Sequence, residues 1–246
     1  MTRTGPAPGR SSPPTPVPGE VHVWRVDLGP AVAVPADSGV LSGEERARAG
    51  RFQRPADRAR SLAARASLRE LLSRYVGAAP AALRFTAGPH GKPELEPGIA
   101  AGAPRFNLAH SGRLVLLAFA ACDVGVDVEQ LRDDVEIEGL ARRFFAPEEI
   151  AAIHRATRGV RQVETFFRIW TRKEAFLKAH GAGLAAPLDA FSTTTRAGAA
   201  RDEVDGESEE THWYLRDLEP APGYAGAVVT SRPSRVVARD WPEDGA

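Results

Sequence analysis

The sequence predicts an α/β (α+β) protein made of two similar subdomains in a pseudo-twofold arrangement. Three observations carry that expectation. The chain has 246 residues and is 43% hydrophobic, enough for one large core or two small ones. Segments that alternate with period two are interleaved with segments of helical period. Each half, divided near residue 122, runs as strand, helix, then strands.

The elements follow in order. Residues 1–19 hold six prolines and few large apolar groups, so a disordered leader is expected. The first subdomain, 20–122, opens with a strand over 22–28 (HVWRVDL). Ser42 and Glu45 offer a capping box for a helix that carries Arg46, Arg48 and Arg51. Pro55 breaks that helix or opens the next. Over 56–75, Leu62, Ala66, Leu68, Leu71, Leu72 and Tyr75 recur at helical spacing, and Gly77 and Pro80 end the run. Residues 88–93 (GPHGKP) form a turn-rich loop. Short strands follow over 105–108 and 114–121. The second subdomain, 123–232, begins with an acidic strand over 123–129. A helix ends over 140–145, and Pro147 fits the first turn of another that reaches Arg155. The strongest helix spans 163–179, with Phe166, Phe167, Trp170, Phe176 and Leu177 on its core face and Gly181 and Gly183 behind it. Residues 196–210 read as a hairpin tip or mobile loop, 213–215 and 224–230 as closing strands, and 233–246 as a loose tail.

Composition excludes several classes. The longest apolar run, 114–122, has nine residues, too short to span a bilayer. The N-terminus lacks the apolar core of a signal peptide. A single cysteine, Cys122, excludes an internal disulfide and a cysteine-rich metal site. A cytoplasmic protein with no membrane partner is expected. Net charge is zero, yet residues 1–122 hold 16 basic and 9 acidic groups while 123–246 hold 16 and 23. A basic half suits a polyanionic ligand, although uneven surface charge explains the same counts. No nucleic-acid-reading signature is present, so no nucleic-acid partner is expected.

Three acids carry the chemistry. In Gly125-Val126-Asp127-Val128-Glu129 the valines alternate with the carboxylates, so Asp127 and Glu129 leave a strand on one face. Glu174 lies in the helical Trp170-Thr171-Arg172-Lys173-Glu174, with Lys178 one turn on. Three hard oxygen donors on two elements suit a Mg²⁺ that keeps some water and binds substrate phosphates. Lys173 and Lys178 can hold a phosphate beside it, so a pyrophosphate-bearing substrate is expected. Each feature has a plain alternative. The paired acids can simply face water. Glu174 and Lys178 can be an exposed i,i+4 pair worth a few tenths of a kcal/mol. His110 can be structural, Lys92 and Pro93 an ordinary turn, and the arginines of 46–60 a solvated helix face.

Taken in order, these segments resemble one family. Gly91-Lys92-Pro93, then Phe106-Asn107-Leu108-Ala109-His110-Ser111-Gly112, then the Gly125–Glu129 motif, then Arg143-Phe144-Phe145 with Glu149, then Trp170 to Lys178 resemble the 4′-phosphopantetheinyl transferases. The similarity is to the larger, monomeric type that serves peptide and polyketide synthases. It implies transfer of the phosphopantetheine arm of coenzyme A to a serine of an apo acyl or peptidyl carrier protein, with coenzyme A in the cleft between subdomains. It implies that Asp127, Glu129 and Glu174 bind Mg²⁺, or Mn²⁺ in its place. Lys178 and Lys173 would neutralise phosphate oxygens. His110 and the stretch around Arg48 and Arg60 would hold the 3′-phosphate, and Lys92 and Pro93 would border the adenine. Glu149 or Glu174 would deprotonate the serine, directly or through water. Two positions depart from the family pattern: Ala109 stands where serine is common, and Glu45 where a base often is. Two other functions remain open on the sequence: a different Mg²⁺-dependent phosphoryl transferase or hydrolase, and a non-catalytic coenzyme A-binding module.

Overall fold

A computed structural model describes residues 15–29, 39–88, 92–157, 159–181, 188–193, 203–204 and 213–242. Residues 1–14 of the leader, Gly91, Gly183 and most of 196–210 lie outside that set.

Two four-stranded sheets organise the molecule. The first contains β1 (Glu20–Asp27), β4 (Arg105–Ser111), β5 (Leu114–Ala120) and β10 (Arg235–Trp241), in the order β10-β1-β5-β4. The second contains β6 (Val124–Gln130), β7 (Glu203–Val204), β8 (Trp213–Leu218) and β9 (Tyr224–Thr230), in the order β6-β9-β8-β7. A small hairpin pairs β2 (Phe85–Ala87) with β3 (Pro93–Leu95).

Local chemistry accounts for the helices. Helix α1 (Gly43–Ala49) starts on the expected capping box: Ser42 Oγ accepts from the Glu45 amide and Glu45 Oε2 from the Ser42 amide. Helix α2 (Pro55–Val76) has Pro55 in its first turn, where the missing N–H costs nothing, and ends at Gly77 with φ +70°. Helices α3 (Ile137–Phe144) and α4 (Pro147–Arg155) are short, and α5 (Val160–His180) is the long aromatic helix of the second half.

Alternation within the strands sorts the core. Trp24 and Val26 of β1, with Val115, Leu117 and Phe119 of β5, pack on Leu68, Leu71, Leu72 and Tyr75 of α2. The opposite faces, Val21, Val23, Leu116 and Ala118, meet Val124, Val126 and Val128 of β6. The two sheets therefore share an apolar seam. Asn107 crosses it, its Oδ1 accepting the Val126 amide at 3.0 Å.

One expectation fails. Residues 233–242 of the expected tail are not loose. Strand β10 pairs in parallel with β1, from Glu20↔Arg235 to Val26↔Trp241, and Trp241 packs edge-on against Trp24. Chain from the second half thus completes the first sheet. Burying Trp241 to 7% exposure is the physical gain that holds it there.

Candidate active site

Strand β6 and helix α5 meet at a glycine. A Cβ on Gly125 would overlap the carbonyl oxygen of Ala175 and the amide nitrogen of Ala179. Only glycine lets the helix backbone approach the strand this closely. Alternation then sends Asp127 and Glu129 to the side covered by α5, the helix that carries Glu174 and, one turn later, Lys178.

Lys178 Nζ donates to Asp127 Oδ1 at 2.6 Å and to the Val126 carbonyl at 3.4 Å. Glu129 Oε2 accepts from Ser111 Oγ of β4 at 2.7 Å. Asp127 is 5% exposed, and its second oxygen, Oδ2, has no hydrogen-bond partner. Burial pushes the Asp127 pKa up, against the pull of Lys178. Burial also raises that of Glu129; the Asp127 charge adds to the rise, and the Ser111 bond opposes it. Glu174 is raised by burial, then by Asp127 and Glu129, with Lys178 opposing. Glu129 thus feels Asp127, and Glu174 feels both.

Among the described residues, no three His, Cys, Asp or Glu side chains form a ready metal-holding group. The bonds to Lys178 and Ser111 supply a reason, because two of the three acids are turned to protein donors. The donor set nevertheless fits a hard dication. It is all oxygen, one of its oxygens is buried without a donor, and burial makes each acid costly to ionise, with like charge adding to that cost at Glu129 and Glu174.

Opposite the acids lies positive charge. His110 of β4 is exposed at its edge, yet desolvation by the surrounding protein lowers its pKa, followed by the charges of Lys178, Arg60 and Arg65, with Asp57 opposing. Arg60 shares its charge with Asp57 at 2.8 Å. Arg65, half-buried on α2, is a member that the sequence motifs do not single out. Burial lowers its pKa, as do the like charges of Arg48 and Arg69, with Glu45 opposing. Arg48, Arg60, Arg65 and His110 are thereby linked into one basic cluster beside Lys178. The acid at position 45 is structural, since it closes the capping box and binds Arg69 at 2.8 Å in a largely buried pair.

Three expected residues spend their polar atoms within the protein. Glu149 is fully buried, and Lys173 is 1% exposed. They pair with each other at 2.8 Å. Glu149 also accepts from the Ala146 amide and from the Thr193 amide and hydroxyl, while Lys173 donates to the Leu188 and Phe191 carbonyls at 2.6 Å. Neither has a free polar atom for a substrate. Lys92 spends its ammonium on the Val124 and Lys178 carbonyls, at 3.0 and 2.8 Å, tying the hairpin to β6 and α5. Pro93 begins β3, half-buried.

Openings of about 750 Å³ (around Arg161, Arg168 and Tyr224) and about 760 Å³ (around Val135, Ile137 and Val163) contain none of the three acids.

Comparison with known proteins decides the family. A model of the 4′-phosphopantetheinyl transferase superfamily matches residues 123–229, and one of the N-terminal part of 4′-phosphopantetheinyl transferase matches 36–122. The 4′-phosphopantetheinyl transferase HetI of Nostoc sp. is 40% identical, covering 86% of this chain and 88% of its own. The chain belongs to the 4′-phosphopantetheinyl transferase family. It is a transferase that moves a phosphopantetheine group onto a carrier protein. The transferase is also 32% identical to the 4′-phosphopantetheinyl transferase Sfp of Bacillus subtilis over 83% of this chain and 85% of that protein. It is 41% identical to slr0495 of Synechocystis sp. over 74% and 73%.

Proposed function

We propose that the transferase draws phosphopantetheine from coenzyme A bound between its basic and acidic halves, with 20–122 and 123–232 as the two subdomains, and gives holo carrier protein and adenosine 3′,5′-bisphosphate. What supports this reading is the close approach of β6 to α5 at Gly125, with Lys178 on Asp127 at 2.6 Å, and the charge of Asp127 and Glu129 felt at Glu174 and of Lys178, Arg60 and Arg65 felt at His110.

Asp127, Glu129 and Glu174 would hold Mg²⁺, with Mn²⁺ able to replace it. When bound, such an ion offsets the negative charge of the pyrophosphate and stabilises the leaving phosphate. Lys178 adds a movable positive charge on the same side. His110, Arg48 and Arg60 accept the 3′-phosphate, and we add Arg65 because its guanidinium stands half-buried among them. Glu174 is the better candidate to take the serine proton, directly or through water, since Glu149 is enclosed and fully bonded. Proton removal of this kind contributes roughly 10²–10⁴-fold.

The partners follow: coenzyme A and an apo acyl or peptidyl carrier protein, met by a monomer in the cytoplasm. No helix among the described residues is long and apolar enough to cross a membrane. Incubating the chain with coenzyme A, Mg²⁺ and an apo carrier protein, and then weighing the intact carrier, tests the proposal. Gain of one phosphopantetheine group is expected; carriers of several types left unchanged would overturn it.

A further inference from the structure

Lys178 is bound to the acidic side of the site, and its charge reaches the basic side. Its ammonium lies 2.6 Å from Asp127 Oδ1, and the Asp127 side chain is only 7% exposed. Its own side chain is 30% exposed, so it has room to turn outward. Its charge is felt by Glu129 and Glu174 on one side and by His110 on the other. Its backbone is fixed, because Lys92 Nζ binds the Lys178 carbonyl at 2.8 Å. A movable cation on a fixed base thus occupies the most buried of the three acids.

A divalent cation arriving alone must compete with that ammonium, either for Oδ1 directly or by approaching Oδ2 against its charge. A pyrophosphate changes the competition, since its oxygens give the lysine an anionic partner on the exposed side. We propose that Lys178 is an internal counter-cation that makes metal binding conditional on coenzyme A: the metal alone binds weakly, and the pyrophosphate draws Lys178 off Asp127 as the metal enters. By linkage, coenzyme A then strengthens metal binding by the same factor by which metal strengthens coenzyme A binding. This inference rests on the assignment of Asp127, Glu129 and Glu174 as the metal-holding acids.

The test follows Mn²⁺ by electron paramagnetic resonance, counting free ion as protein is added, with and without coenzyme A. Wild type is expected to bind Mn²⁺ weakly alone and roughly tenfold or more tightly with coenzyme A, within the usual span of coupling. Lys178→Met, checked for folding by its thermal melt, is expected to bind Mn²⁺ alone about tenfold more tightly than wild type and to gain less from coenzyme A than wild type does. Lys178→Arg keeps a charge at the same reach and is expected to behave like wild type. If Lys178→Met binds Mn²⁺ alone no better than wild type, while wild type binds it with coenzyme A, the counter-cation role is overturned and the metal site stands. If wild type takes up no Mn²⁺ even with coenzyme A, the metal-site assignment falls and this inference falls with it.

Discussion

Replacing Glu149 separates a structural role from a chemical one. Its carboxylate accepts four bonds: from the Ala146 amide at 2.9 Å, the Thr193 amide at 2.8 Å, the Thr193 hydroxyl at 2.9 Å and Lys173 Nζ at 2.8 Å. Lys173 spends its three protons on Glu149, the Leu188 carbonyl and the Phe191 carbonyl. Removing the acid strands a buried ammonium. That loss costs about 3–5 kcal/mol in buried pairs, and losing the cap of α4 adds about 1 kcal/mol. Against a total stability of roughly 5–15 kcal/mol the change is large. At about 2–4 °C per kcal/mol for a chain of this size, Glu149→Ala should melt at least ~8 °C lower. Urea unfolding followed by tryptophan fluorescence reads the loss. The double variant Glu149→Leu with Lys173→Met should recover part of it, because no lone charge is left behind. Glu149→Gln, assayed well below its melting point, should turn over at a rate near wild type. A Glu149→Gln protein of wild-type stability with no transferase activity would refute the argument and return the residue to the chemistry.

Glu174→Gln tests the acids without substrate. Burial and like charge raise the folded-state pKa of Glu174 above its ordinary 4.5. The folded protein therefore holds that proton more tightly than the unfolded chain. The associated stability is present below the ordinary value and is lost as pH rises through the raised one. Metal-free Glu174→Gln should melt above wild type near neutral pH, with the difference closing in acid. A scan of melting temperature against pH checks this, and a variant that melts lower at neutral pH would contradict it. His110→Ala should raise the coenzyme A requirement about tenfold, from a lost charge-assisted bond, and that for 3′-dephospho-coenzyme A much less. Equal effects in steady-state kinetics would remove His110 from the phosphate contact. Trp241→Ala should cost about 3–5 kcal/mol in urea unfolding, because it empties the place against Trp24. A cost below about 1 kcal/mol would mean that β10 is dispensable.

Much of the molecule is legible in its sequence because the causes are local. The capping box at Ser42, the stop at Gly77 and the alternation through Asp127 and Glu129 need only neighbouring residues. The failures are non-local. Arg235–Trp241 carries three charged groups among its seven residues, and it becomes a strand because β1 offers an edge far away in sequence. Lys173 and Lys178 are both lysines on one helix, five residues apart. That spacing rotates them onto different faces, one into the core and one toward the acids, and the motif does not distinguish them. Glu149 stands in a helix's first turn, where acids are usually solvated. What encloses it is Thr193, from a later segment. Arg65 reads as one more charge on an arginine-rich helix until α2 is set beside β4.

The divided charge of the chain has a consequence for how firmly the halves must be joined. The acids stand on β6 and α5, and the basic cluster stands on α1, α2 and β4. A ligand with phosphates at both ends of a nucleotide must meet both sets at once, so a small rotation between the sheets would spoil the fit. Three ties oppose such a rotation, and each begins in the first half. Asn107 reaches the Val126 amide, next to Asp127. Ser111 reaches Glu129 itself. Lys92 reaches the carbonyls of Val124 and Lys178, one on each of the elements that carry the acids. Because every tie lands within three residues of a proposed metal or phosphate contact, the motif residues between the two charged sets act as alignment pins. That gives Lys92 and Asn107 a physical reason to accompany the acids even if neither touches coenzyme A.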